Sequence, residues 1–152
     1  MLQPLRFIAE QVVWQEVPGE VSLAFTVSGC PLRCPGCHSS DSWDAQQGLP
    51  LTVEYLQQRI SQYRGLISCV LFFGGEWRPG VLLPLLQLVR AAGLHSCLYT
   101  GLETIPNELQ AQLTFLKTGP WIRELGGLNS RSTNQVFTDL RTGKTLNHLF
   151  VS

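Results

Sequence analysis

The stretch Leu66 to Glu76, LISCVLFFGGE, decides how this chain is read. Its first eight residues form a nearly continuous apolar run of strand length that stops at Gly74-Gly75. A strand without polar alternation is covered on both faces, as parallel strands are, and parallel neighbours need crossover connections. Both flanks supply them. Upstream, Thr52 can cap a helix over 53–64, in which Val53, Leu56, Ile60 and Tyr63 recur at helical spacing before Gly65. Further upstream, VSLAFTVS over 21–28 has strand composition and runs into Gly29. Downstream, Pro79 opens a helix around 80–92, a strand is expected at 94–100, and a short helix at 106–113. Pro84 either sits close enough to the first turn to be tolerated or delays the helix start. Short strands are expected at 114–118 and 135–140, the latter leading into the turn Arg141-Thr142-Gly143-Lys144.

This βαβαβαβ order predicts an α/β fold of mostly parallel strands with right-handed crossovers, open or rolled into an incomplete, shortened (β/α) barrel. With 152 residues, the chain suffices for one hydrophobic core, so a single domain over 1–152 is expected. Ligands of such sheets gather at the strand C-terminal edge. Gly29-Cys30, Gly74-Gly75-Glu76 and Thr100-Gly101 all fall there in this reading.

Eleven basic and eleven acidic residues balance to zero, and no basic block is present. The chain therefore lacks the electrostatic footprint of a nucleic-acid or anionic-membrane binder. The opening MLQPLRFIAE lacks signal-peptide character, and no segment approaches the roughly 18 apolar residues of a membrane span. A cytoplasmic protein is expected. In that reducing setting five cysteines, an odd number, point to metal or redox chemistry instead of a disulfide framework.

Three of those cysteines, Cys30, Cys34 and Cys37, lie in GCPLRCPGCH with the spacing C-x3-C-x2-C. A four-iron cubane ordinarily takes four thiolates, so three would leave one iron open to a substrate. Pro31 and Pro35 would stiffen the loop, while Gly29 and Gly36 permit unusual dihedrals. Competing readings are a thiol redox pair at Cys34 and Cys37, a zinc site that adds His38, and purely structural cysteines. Cys69 and Cys97 sit inside apolar strands and read as core. His95 and His148 lack partner motifs, and Asp41, Asp44 and Glu54 read as solvated charges.

The loop CPLRCPGCH, followed by Trp43-Asp44 and then by Phe72-Phe73-Gly74-Gly75-Glu76, resembles the radical S-adenosylmethionine (SAM) enzymes. Within them the chain is most similar to the small activases of glycyl-radical enzymes, above all those that serve anaerobic ribonucleoside-triphosphate reductase. Tyr99-Thr100-Gly101 and Ser132-Thr133-Asn134-Gln135 extend the likeness. The resemblance implies an incomplete barrel of the radical SAM type, with Cys30, Cys34 and Cys37 holding a 4Fe-4S cluster whose open iron binds the amino and carboxylate groups of SAM. It implies further cofactor contacts at Gly36, Cys37, His38, Gly74, Gly75, Glu76 and Thr100, with Glu76 an acceptor for the amino group. Its chemistry would be reductive cleavage of SAM to methionine and a 5′-deoxyadenosyl radical, which takes hydrogen from a glycine Cα of the partner, the large subunit of the reductase. The electron would come from a donor such as flavodoxin. A small radical SAM enzyme acting on another glycyl-radical enzyme, or on a nucleotide-like small molecule, is the alternative reading, and a zinc-binding or thiol redox module the reading from another class.

Two departures stand out. Members of that group carry an Arg after a Gly-Pro-Gly segment, whereas Val17-Pro18-Gly19-Glu20-Val21-Ser22 has none, and Trp77 replaces the Pro that follows GGE. Trp43, Trp77 and Trp121 read either as partner-docking residues at an open barrel mouth or as core and cofactor packing.

Overall fold

The computed structural model describes residues 3–29 and 48–151. In chain order the elements are β1 (Leu5–Val13), β2 (Ser22–Val27), β3 (Leu49–Leu51), α1 (Val53–Gln62), β4 (Cys69–Phe73), α2 (Pro79–Ala91), β5 (His95–Tyr99), α3 (Asn107–Gln110), β6 (Phe115–Thr118), β7 (Val136–Asp139) and β8 (Lys144–Thr145). All strands join one sheet in the order β3-β1-β2-β4-β5-β6-β7-β8.

Only the centre of that sheet is parallel. The pairs β2/β4, β4/β5 and β5/β6 run parallel. The pairs β1/β2, β1/β3, β6/β7 and β7/β8 run antiparallel. The expectation of mostly parallel strands is thus corrected to a mixed α/β sheet. The reason lies in the connections: residues 14–21 and 140–143 contain no helix to carry a crossover, so the chain turns straight back. β1 itself escapes a periodicity reading because its buried and open positions alternate only in part and its pairing shifts register between Phe7 and Ala9.

β4 is the axis of the core. Val70 and Phe72 face one apolar cluster, with Leu56 and Ile60 of α1, Leu82, Leu85, Leu86 and Val89 of α2, and Leu109 of α3. Cys69 and Leu71 face a second, with Ala24, Cys97, Phe115 and Phe137. Both faces of β4 are covered, as its unbroken apolar run requires. The four buried α2 side chains alone contribute roughly 1.5–3 kcal/mol each.

Boundaries are tighter than the sequence pattern implies. β4 begins at Cys69, not Leu66, which is 68% exposed. α1 is capped as expected, the Tyr55 N–H donating to Thr52 Oγ1 at 3.0 Å, but it ends at Gln62. Arg59 and Tyr55 both bind Glu10, which fastens α1 to β1. α2 starts at Pro79 and retains Pro84 inside. Pro84 is exposed, so the carbonyl left without its donor lies on the wet side of the helix.

Candidate cofactor site at the parallel strand ends

Register brings four strand ends level: Thr26 pairs with Phe73, Phe73 with Tyr99, and Tyr99 with Lys117. The residues that follow β4 and β5, Gly74 and Thr100, therefore share an edge, with Gly119 following β6 and Ser28 following β2. The ladder runs past the strand ends, the Gly74 N–H donating to Tyr99 O at 3.0 Å and the Thr100 N–H to Lys117 O at 2.9 Å.

Glu76 is the centre of this edge. It is only 5% exposed, and its Oε1 accepts the Thr100 hydroxyl at 2.6 Å. Thr100 Oγ1 in turn accepts the Leu102 N–H at 3.0 Å, so the hydroxyl is oriented from both sides. Glu76 Oε2 is buried with no hydrogen-bond partner. Burial pushes its carboxyl above the usual range, while the Thr100 hydroxyl, its own backbone N–H and the Lys117 charge act the other way. An orphaned carboxylate oxygen in a buried place costs free energy, and an amino donor fits it chemically. That open acceptor fits the amino group of SAM.

Lys117 carries no motif and is absent from the residues read as a site, yet it is 8% exposed. Its ammonium donates to Thr100 O at 3.2 Å and Gly119 O at 3.0 Å, and lies 5.8 Å from the Tyr99 ring centroid. The signal for it was a single cation inside the apolar strand TFLKT.

Gly74 and Gly75 have φ of +99° and +110°. A Cβ on Gly74 would meet the Trp77 ring at 2.6 Å, and one on Gly75 would meet Leu5 at 3.2 Å and Leu82 at 3.5 Å. The chain's own packing and dihedrals thus impose glycine at both positions. Trp77 is committed in the same way, packing against the first core cluster. Arg78 donates to Pro4 O at 3.3 Å and so fastens the residues before β1 to the start of α2.

Cys30, Cys34, Cys37, Gly36 and His38 lie outside the described residues, as do Trp43, Asp41 and Asp44. The described flanks of that segment converge on β1. The Ser28 N–H and hydroxyl donate to Arg6 O at 2.9 and 3.2 Å. The Arg6 guanidinium donates to Gly48 O at 2.9 Å. A Cβ on Gly48 would fall 2.2 Å from Phe7 O, so only glycine fits where the chain returns. Phe7 pairs with Val27, which places both flanks at the edge that carries Glu76.

The remaining cysteines are core. Cys69 and Cys97 are fully buried, with the Cys69 thiol pushed up to about 12 by burial and Cys97 raised by the same cause. Ser132 to Gln135 fasten the chain after β6: Asn134 Nδ2 donates to Pro120 O at 3.1 Å and Thr133 Oγ1 to Gly126 O at 2.9 Å. Among the described residues no group of three or more His, Cys, Asp or Glu side chains is arranged to hold a metal, and no helix is long and apolar enough to cross a membrane.

Residues 17–125 match the family described as 4Fe-4S single cluster domain. The pyruvate formate-lyase-activating enzyme of Clostridium pasteurianum is 33% identical over 90 residues, 55% of this chain and 37% of that protein. The 7-carboxy-7-deazaguanine synthase of Hyperthermus butylicus is 34% identical over 102 residues, 67% of this chain and 38% of that protein. The pyruvate formate-lyase 1-activating enzyme of Escherichia coli K12 is 32% identical over 79 residues, 48% of this chain and 32% of that protein. The chain thus spans less than two fifths of the length of each of these relatives.

Proposed function

The chain belongs to the 4Fe-4S single cluster domain family, and from that premise we propose that it is a radical SAM activase that generates a glycyl radical on a partner enzyme, anaerobic ribonucleoside-triphosphate reductase. A 4Fe-4S cluster and SAM are the cofactors that the family and its relatives imply. Activases of pyruvate formate-lyase among the relatives support a glycyl-radical enzyme as the kind of partner. The choice of the reductase rests on the resemblance of CPLRCPGCH, GGE and STNQ. The single domain and the incomplete barrel belong to the same reading.

The observation that carries it is the buried, unpartnered Glu76 Oε2 at the edge where the flanks of the cysteine segment meet. In this reading Cys30, Cys34 and Cys37 hold the cluster, three thiolates within eight positions being a donor set suited to iron and sulfide. When bound and reduced, the cluster supplies the electron for cleavage of SAM. The chain's own residues bind and orient. Glu76 accepts from the amino group, Thr100 fixes that carboxylate, and Gly36, His38, Gly74 and Gly75 approach SAM through backbone. No acid–base pair is required, because the work left to the protein is placing one bond and excluding water.

Anaerobic reconstitution followed by iron and sulfide analysis is the first test, with about four irons per chain expected by the cluster stoichiometry. Methionine and 5′-deoxyadenosine formed on reduction with SAM, and a glycyl-radical signal in paramagnetic resonance when the reductase is added, complete it. Stoichiometric zinc in place of iron would sink the proposal. The likeness to the deazaguanine synthase favours a second reading, a radical SAM enzyme of a nucleotide-like small molecule. A radical on no glycyl-radical enzyme, together with SAM cleavage stimulated by a 7-deazapurine precursor, would select it.

A further inference from the structure

Lys117 is a buried cation that the proposed chemistry leaves unused. The Lys117 ammonium donates to two main-chain carbonyls, Thr100 O and Gly119 O, and so ties the ends of β5 and β6 together. Thr100 is also the residue whose hydroxyl binds Glu76. One residue thus receives the cation through its carbonyl and presents its hydroxyl to the anion. Glu76 Oε2 remains without a hydrogen-bond partner. An ion pair made directly on that oxygen would occupy the acceptor; a cation held one residue away stabilises the charge and leaves the acceptor open.

We propose that Lys117 is a positioning residue that acts through Glu76, its ammonium keeping the carboxylate ionised so that Oε2 can accept from the amino group of a ligand. The inference rests on the reading of Glu76 as the amino-group acceptor. Among the described residues, the surroundings leave Lys117 as the charge that matters there. Of the titratable groups nearby, Cys97 on β5 is held neutral by burial, and Tyr99 is raised by burial with its hydroxyl donating to Glu16 O, away from the edge. Lys117 is accordingly the charge that opposes the burial of the Glu76 carboxylate. Without it the carboxyl would hold its proton to higher pH, and a protonated carboxyl is a poorer acceptor.

The test is calorimetric binding to the anaerobically reconstituted chain as a function of pH, with SAM and with 5′-methylthioadenosine, which lacks the amino acid portion. Lys117→Gln, which keeps a donor but no charge, is expected to move the midpoint of the SAM binding profile to higher pH, with about tenfold weaker binding at pH values below the midpoint for each pH unit that it moves. Binding of 5′-methylthioadenosine should not change. Lys117→Arg retains the charge and should retain the midpoint. In a Glu76→Gln background, Lys117→Gln should have no further effect on the profile. An unmoved midpoint in Lys117→Gln, a moved one in Lys117→Arg, or equal loss of both ligands would overturn the inference. Wild-type chain that assembles its cluster but binds no SAM would overturn the reading of the site itself, and the inference with it.

Discussion

At Glu76 the folded chain accepts a cost. Burial holds its carboxyl above the ordinary range and leaves Oε2 without a donor. The sign of the linkage follows: a carboxyl raised on folding contributes stability below its unfolded pKa of about 4.3, and that contribution is lost as pH rises through the folded value. Glu76→Gln should therefore remove this pH dependence from the thermal stability of the ligand-free chain, while weakening SAM binding. Thermal melts at pH 4 and pH 7 check this; a variant whose melting temperature changes between the two pH values by as much as the wild type's would contradict it. Gly74 and Gly75 show the opposite economy. Their positive φ, and the Trp77, Leu5 and Leu82 side chains that a Cβ would meet, make glycine necessary at both positions before any ligand is considered. Substitution there would disturb the turn first, and a loss of binding would not by itself identify a cofactor contact.

At the scale of elements, the helices sit on one face of the sheet and are held by a few well-placed side chains. Thr52 satisfies one of the open N–H groups at the start of α1. Thr52→Ala should cost about 1 kcal/mol, read by chemical denaturation. Pro84 is the reverse case, an interior proline in α2 that denies the helix one hydrogen bond and points outward. Pro84→Ala should stabilise α2 by about 1 kcal/mol, the restored bond being partly offset by the looser unfolded chain. An unchanged or lowered denaturation midpoint in Pro84→Ala would mean that the proline is set by packing at the helix start. Neither change touches the strand ends, so SAM binding should survive both.

For the whole molecule, the cysteines divide into two populations, one in a Pro- and Gly-rich stretch of sequence and one in the core. Cys69→Ala and Cys97→Ala should each lower the melting temperature, since both side chains are fully buried, and leave the iron content unchanged. Cys30→Ala, Cys34→Ala and Cys37→Ala should each abolish stable cluster assembly, measured as iron and sulfide per chain. Iron retained in all three loop variants would overturn the ligand assignment. The edge itself is a product of the whole sheet. β1 holds Ser28 and Gly48, the described flanks of the cysteine segment, through Arg6 and Phe7, β4 delivers Glu76, β5 Thr100 and β6 Lys117.

Much of this was legible locally. The C-x3-C-x2-C spacing, the apolar run over β4, the Thr52 cap and the double glycine are short-range patterns, and each reads from neighbouring residues alone. Thiolate count and backbone dihedral need no distant partner to carry meaning. The rest required the fold. The antiparallel flanks β1, β3, β7 and β8 depend on which strands pair, and pairing is decided by connection length and the faces left to cover. Lys117 reads as an ordinary surface cation until register sets it beside Thr100. Gly48 reads as a loop residue until Phe7 O is found in the place of its Cβ. Sequence by itself determined the spacing of the thiols and the apolar run that becomes β4, whereas tertiary structure decided the charge environment at the strand ends, because an ion's energy is set by what surrounds it in space and not by its neighbours along the chain.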